Sequence, residues 1–101
     1  MSLSKKYLAT KPECKVTFKL DQPAANGFSE VYLVGDFNNW DRLANPMKKL
    51  KGGEFSVTLN LETGKEYQYK YFADQAKWIN DPEPDKLTTN EFQGQNCVIC
   101  L

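Results

Sequence analysis

The chain has 101 residues, with 13 Lys+Arg balanced by 13 Asp+Glu and no His, so its formal net charge is zero. That length suits one domain built on one core. A neutral surface has no long-range hold on a phosphate backbone or an anionic bilayer, which sets nucleic acid and membrane aside as partners.

Hydrophobic residues make up 41% of the chain and charged ones 26%, the balance of a globular protein rather than a disordered one. No apolar run approaches the ~20 residues needed to cross a bilayer. Met1-Ser2-Leu3-Ser4-Lys5-Lys6 has no apolar stretch behind its basic residues, so it does not read as a secretory signal. The expected setting is cytoplasmic. Three cysteines, Cys14, Cys97 and Cys100, are an odd count for such a setting, and a disulfide framework is not expected. Cys97-Val98-Ile99-Cys100 spells C-x-x-C, but it lies in a strand-like run. Positions three apart on a strand face opposite sides, so the two thiols would not share a metal. They read as small apolar strand residues, and neither a metal nor another cofactor is expected.

Taken in order, residues 1–13 are polar and mixed and read as a flexible lead-in to a domain spanning 14–101. Cys14 to Leu20 alternates, with Cys14, Val16, Phe18 and Leu20 on one side and Lys15, Thr17 and Lys19 on the other, which predicts a half-buried strand. Asp21 to Gly27 is a loop by its turn residues. A second strand, Glu30 to Val34, breaks at Gly35 into the polar turn Asp36-Phe37-Asn38-Asn39-Trp40-Asp41. Asn45-Pro46 marks another turn and Met47 to Leu50 a short strand. Lys51-Gly52-Gly53-Glu54 reads as a hairpin turn, because glycine reaches positive φ freely. Glu54 to Leu61 alternates again, with Phe55, Val57, Leu59 and Leu61 inward. After Glu62-Thr63-Gly64-Lys65 comes Glu66 to Ala73, with Tyr67, Tyr69 and Tyr71 on one face and Gln68, Lys70 and Phe72 on the other. Asp74 to Lys77 turns the chain and Trp78-Ile79-Asn80 starts a return. Pro82 and Pro84 exclude a helix or a paired strand, and a long polar loop runs on through Gln95. Asn96 to Leu101 closes the domain. No segment carries a helical apolar period. About seven short strands predict an all-β, immunoglobulin-like antiparallel β-sandwich.

Catalysis finds little support. Without His, a Ser or Cys nucleophile lacks its usual base. Asp36, Asp41, Asp74, Asp81 and Asp85 all fall in turns, where Asp is common for backbone reasons, and they read as surface turn acids. Lys48, Lys49 and Lys51 read as a solvated sheet edge that discourages further pairing. Binding is better supported. Trp40 and Trp78 each sit in polar turns between strands, although either could instead tuck into the core. The tyrosines already supply a bulky inner face for 66–73, which leaves Lys70 outside with Trp78 across the hairpin. Two indoles and a lysine on a flat outer sheet suit a sugar, whose C–H faces stack on aromatic rings while its hydroxyls take hydrogen bonds.

The order of motifs then becomes specific. Val31-Tyr32-Leu33-Val34-Gly35-Asp36-Phe37-Asn38-Asn39-Trp40 is followed by Gly53-Glu54-Phe55 with Leu59 and Leu61. Gly64 with Tyr67-Gln68-Tyr69-Lys70-Tyr71, Trp78, Asp81-Pro82 and finally Asn96 come after it. Over residues 14–101 this series resembles carbohydrate-binding module family 48. That family includes the glycogen-binding domain of the AMP-activated protein kinase beta subunit and the early-set domains of isoamylases and glycogen branching enzymes. The resemblance implies an early-set sandwich that binds α-1,4-linked glucans such as glycogen, starch or maltooligosaccharides, without catalysis. Carried over by position, it implies Trp40 and Trp78 as stacking residues, Lys70 and Asn96 as hydrogen-bonding residues, and Phe92 as an apolar contact from the last long loop. The sequence departs from the family in its hairpin: Asp74-Gln75-Ala76-Lys77-Trp78 is one residue longer than the frequent D-G-x-W and lacks the glycine. The alternative reading keeps the fold without the sugar site, as an interaction or regulatory module that docks to a separate glucan-metabolising enzyme or associates with itself.

Overall fold

Alternation along the chain is realised as two antiparallel sheets laid face to face. The computed structural model describes residues 3–22, 24–25, 27–89 and 94–101. Its strands are β1 (Leu3–Tyr7), β2 (Glu13–Leu20), β3 (Val31–Gly35), β4 (Asn45–Pro46), β5 (Lys48–Lys49), β6 (Phe55–Glu62), β7 (Glu66–Ala73), β8 (Lys77–Ile79), β9 (Lys86–Thr89) and β10 (Gln95–Cys100). The only helical turn among the described residues is a 3-10 turn at Asp36–Asn38. One sheet has the order β1-β2-β6-β5 and the other β4-β3-β7-β10-β9, with β8 also pairing β7.

The core lies between the sheets. Cys14, Val16, Phe18 and Leu20 of β2 and Phe55 and Leu61 of β6 face Tyr69, Tyr71 and Ala73 of β7 and Cys97 and Ile99 of β10. Phe18 meets the Tyr69 ring edge-on across the gap, centroids 5.2 Å apart, the preferred arrangement for two ring quadrupoles. The predicted inner and outer faces of 14–20, 54–61 and 66–73 match this core.

Among the described residues there are ten strands rather than about seven, and each added one is short. The expected strand over 47–50 shortens to β5, which pairs β6 in one sheet, and the expected turn Asn45-Pro46 is itself β4, paired with β3 in the other. The chain crosses between sheets at Met47, whose N–H donates to the Val31 carbonyl at 2.8 Å. Two-residue strands carry no readable period. β9 lies inside the stretch read as one polar loop, pairing Lys86↔Val98 through Thr89↔Gln95. Within the expected lead-in, β1 pairs β2 from Leu3↔Phe18 to Tyr7↔Cys14.

All five turn aspartates accept a backbone N–H: Asp36 from Gln68, Asp41 from Leu43, Asp74 from Ser29 and Glu30, Asp81 from Glu83, and Asp85 from Cys100. Four of them are exposed, as a surface reading expects, but Asp81 is not. Its carboxylate is buried and takes the Tyr69 hydroxyl at 2.7 Å, so β7's inner tyrosine holds the Asp81-Pro82 turn down onto the sheet.

Candidate functional site

Strand β7 is central to the six-stranded sheet, and its outer face carries Gln68, Lys70 and Phe72. On one flank β3 places Tyr32 beside Phe72 and Val34 beside Lys70. On the other flank β10 places Val98 beside Gln68, and β8 places Trp78 beside Phe72. This outer face has no opposing sheet, yet Val34, Phe72 and Val98 are only 0%, 5% and 2% exposed. Side chains from the sheet and its loops therefore form a cover of their own. Each covered Val or Phe contributes about 1.5–3 kcal/mol.

The Trp40 turn is fixed from three directions. Gly35 has extended backbone, but a Cβ there would meet the Gln68 carbonyl oxygen at 2.5 Å and Tyr69 Cβ at 2.9 Å, so only glycine lets β3 end this close to β7. Phe37 turns inward against Phe18 and Tyr67, with centroids 5.7 and 6.1 Å away. Asn38 Oδ1 accepts the Gly35 N–H, and its Nδ2 donates to the Leu33 carbonyl and to Asn45 Oδ1. The chain then passes through Asn39 and Trp40 in the left-handed region, φ 56° and 57°. That conformation costs a non-glycine residue roughly 1–2 kcal/mol. It is closed by the Trp40 N–H to the Gly35 carbonyl at 2.9 Å. The indole Nε1–H donates to Asp36 Oδ1 at 2.8 Å, while Asp36 Oδ2 accepts the Gln68 backbone N–H at 2.8 Å. β3 stops opposite Tyr69, so the carboxylate serves Gln68 as the missing strand partner.

The remaining predicted residues follow along the face. Lys70 is half-buried, and its Nζ donates to the Gln95 carbonyl at 2.9 Å, a neutral acceptor that leaves its positive charge uncompensated at that contact. Asn96 is buried and its Nδ2 donates to Gln68 Oε1 at 2.9 Å. Trp40, Asp36, Gln68 and Asn96 thus form one hydrogen-bonded series across the sheet.

Trp78 is reached through the hairpin that lacks the glycine. Asp74 and Gln75 both have positive φ, 50° and 54°, and the turn closes from the Ala76 N–H to the Ala73 carbonyl. Pairing resumes at Ala73↔Lys77, which keeps Trp78 on the outer face opposite Phe72. The two rings lie 4.6 Å apart at 42°. Trp78 remains 44% exposed, so much of the indole still meets solvent. The Arg42 guanidinium lies 5.6 Å from the Phe72 centroid, within cation–π range. Phe92 lies outside the described residues.

Asp36, Arg42, Gln68 and Phe72 belong to this face and do not appear among the residues predicted to contact ligand. Phe72 and Gln68 were legible as outward-facing on β7; nothing in the sequence points Arg42 at a ring thirty positions on.

The C-x-x-C pair divides between faces as strand geometry requires. Cys97 is in the core, its Sγ accepting the Asp81 N–H at 3.1 Å, and burial pushes its thiol up to about 11. Cys100 lies outside, against Glu66 Oε2 at 3.5 Å. Among the described residues no three His, Cys, Asp or Glu side chains gather where they could hold a metal ion.

Residues 16–100 match the family model for the glycogen recognition site of AMP-activated protein kinase. The chain belongs to that family. It is 41% identical over 73 residues to 5'-AMP-activated protein kinase subunit beta-1 of Bos taurus, an alignment covering 72% of this chain and 25% of that protein. The Rattus norvegicus subunit beta-1 is 38% identical over 73 residues with the same coverage. Protein PTST homolog 2, chloroplastic, of Arabidopsis thaliana is 35% identical over 74 residues, covering 73% of this chain and 13% of that protein. The chain therefore spans about a quarter of these two kinase subunits. The matched region takes in Trp40, Lys70, Trp78 and Asn96, and β1 precedes it.

Proposed function

We propose that the outer face of β7 binds α-1,4-linked glucan without chemical turnover. Trp40 and Trp78 stack on glucose rings, and Lys70 and Asn96 hydrogen-bond hydroxyls between them. The observation that carries this reading is the outer face shared by Trp78, Lys70 and Asn96, with Trp40 tied through Asp36 to the central strand of that sheet, in a chain that belongs to a glycogen-recognition family. A flat, wet platform excludes little water, so affinity is expected between micromolar and millimolar. Titration with maltoheptaose or β-cyclodextrin should change tryptophan fluorescence, and Trp40→Ala should abolish binding with an unchanged melting curve. An unresponsive wild-type protein at millimolar sugar would refute the proposal.

A second reading is favoured by two observations. The matched relatives are named as kinase subunits, and the Trp40 loop carries Leu43 at 59% exposure. In this reading the module also docks to a glucan-metabolising enzyme or to a second copy of itself. Size-exclusion chromatography with light scattering, alone and with the candidate enzyme, separates the two; a strictly monomeric protein in both runs excludes it.

A further inference from the structure

We infer that Asp36 is a positioning residue for the proposed glucan site. It sets the indole of Trp40 and ties it to β7. This rests on the glucan-binding reading and extends it to a side chain that would not touch the sugar ring through an aromatic face.

Trp40 sits in a left-handed conformation that its own backbone disfavours. A large side chain on such a turn has several orientations open to it unless a directional contact selects one. Asp36 supplies that contact. Oδ1 takes the indole Nε1–H and Oδ2 takes the Gln68 N–H, both at 2.8 Å. A hydrogen bond to an ionised acceptor is about twice as strong as a neutral one. The carboxylate is itself held by a backbone amide of a central strand, so its position is inherited from the sheet rather than from the loop. Gln68 then carries the connection to Asn96. Two residues proposed to meet the same glucan chain, Trp40 and Asn96, are thereby placed relative to each other through Asp36 and Gln68. Because the indole N–H is occupied, Trp40 is left to offer ring surface rather than a donor. Rigidifying a contact residue before the ligand arrives removes part of the ordering cost of binding.

The test uses Asp36→Ala, Asp36→Asn and Trp40→Phe. Asp36→Ala should weaken maltoheptaose binding about tenfold, the loss expected for a charge-assisted hydrogen bond. Its melting temperature should fall by only a few degrees, because the Gln68 N–H loses its acceptor as well. Asp36→Asn has one acceptor oxygen for two N–H donors, the indole and Gln68, so it should recover only part of that loss. In the Trp40→Phe background, which has a ring but no N–H, Asp36→Ala should weaken binding little further. The NMR signal of the Trp40 Nε1–H should shift and exchange faster in Asp36→Ala, while that of Trp78 stays in place. Equal affinity of wild type and Asp36→Ala overturns the assignment. So does the same tenfold loss in the Trp40→Phe background, which would show a route that bypasses the indole. If wild type itself fails to titrate, the glucan reading falls and this role with it. The indole signal still reports, independently, whether Asp36 holds Trp40.

Discussion

The two faces of β7 solve the burial problem differently. The inner face, Tyr67, Tyr69 and Tyr71, packs against β2 and β6 across the sandwich. The outer face, Gln68, Lys70 and Phe72, has no facing sheet and is covered by side chains from its neighbours and from the Trp40 loop. Inside, the rings fill volume, and the hydroxyls determine local energetics: Tyr67 donates to the Glu62 carbonyl, Tyr69 to Asp81, and Tyr71 to none of the described residues. Outside, polar groups set positions and one ring, Phe72, supplies the base on which they rest. A strand can thus anchor a core and a binding face at once, because its side chains alternate.

The largest expected effect tests whether the outer cover is truly packed. Phe72→Ala should cost about 3 kcal/mol by urea denaturation, the low end for losing a buried ring. It should also loosen Trp78, which rests on it, and so reduce the fluorescence response to glucan. A loss below about 1 kcal/mol would mean that the outer face behaves as ordinary surface and the contrast between faces collapses.

A paired change sharpens the inner face. Tyr69→Phe removes the donor to a buried carboxylate and should cost about 2 kcal/mol. Tyr71→Phe removes a hydroxyl that is buried without a partner among the described residues, so stability should hold or rise by about 1 kcal/mol. Two neighbouring tyrosines on one face would then respond with opposite sign.

The same burial predicts an alkaline limit. It pushes the Cys97 thiol up to about 11 from an ordinary value of 9.0, and the Tyr69 and Tyr71 hydroxyls above their usual range. In each case the folded protein keeps its proton at a pH where the unfolded chain has lost it. The unfolded state then binds fewer protons, so stability falls as pH rises. Stability should be level below about pH 9 and decline above it. Cys97→Ala should reduce the slope between pH 9 and 11 in pH-dependent melts, and an unchanged slope would remove the thiol from this account.

Much of this contrast was readable from side-chain order alone. Tyr67, Tyr69 and Tyr71 against Gln68, Lys70 and Phe72 is a period-two pattern over a full-length strand, and it places Trp78 outside once the hairpin is allowed for. What escaped depends on contacts distant in sequence. β9 is Lys86-Leu87-Thr88-Thr89, whose short, mostly polar run reads as loop until β10 pairs with it. Asp81 looks like any turn acid until Tyr69 is seen beneath it. Asp36 could be given a turn role by type, but not its bond to an amide thirty-two positions away.

The smallest effect concerns the hairpin that delivers Trp78. Asp74 and Gln75 both occupy the left-handed region, yet they differ in what the rest of the protein gives them. The Asp74 carboxylate accepts the N–H groups of Ser29 and Glu30 at 2.9 Å each, and its own N–H donates to the Glu30 carbonyl. Gln75 has only a marginal 3.5 Å contact to Glu30. Gln75→Gly should therefore relieve backbone strain and raise stability by about 0.5 kcal/mol, the αL relief less the extra freedom of an unfolded glycine. Asp74→Gly relieves the same strain but strands two amides, and should lower stability by about 1 kcal/mol. Neither change alters a group proposed to meet glucan, so affinity should be level in Gln75→Gly. If Gln75→Gly instead weakened binding while stabilising the fold, the rigidity of this turn, and not only the register it imposes, would be part of how the outer face presents Trp78.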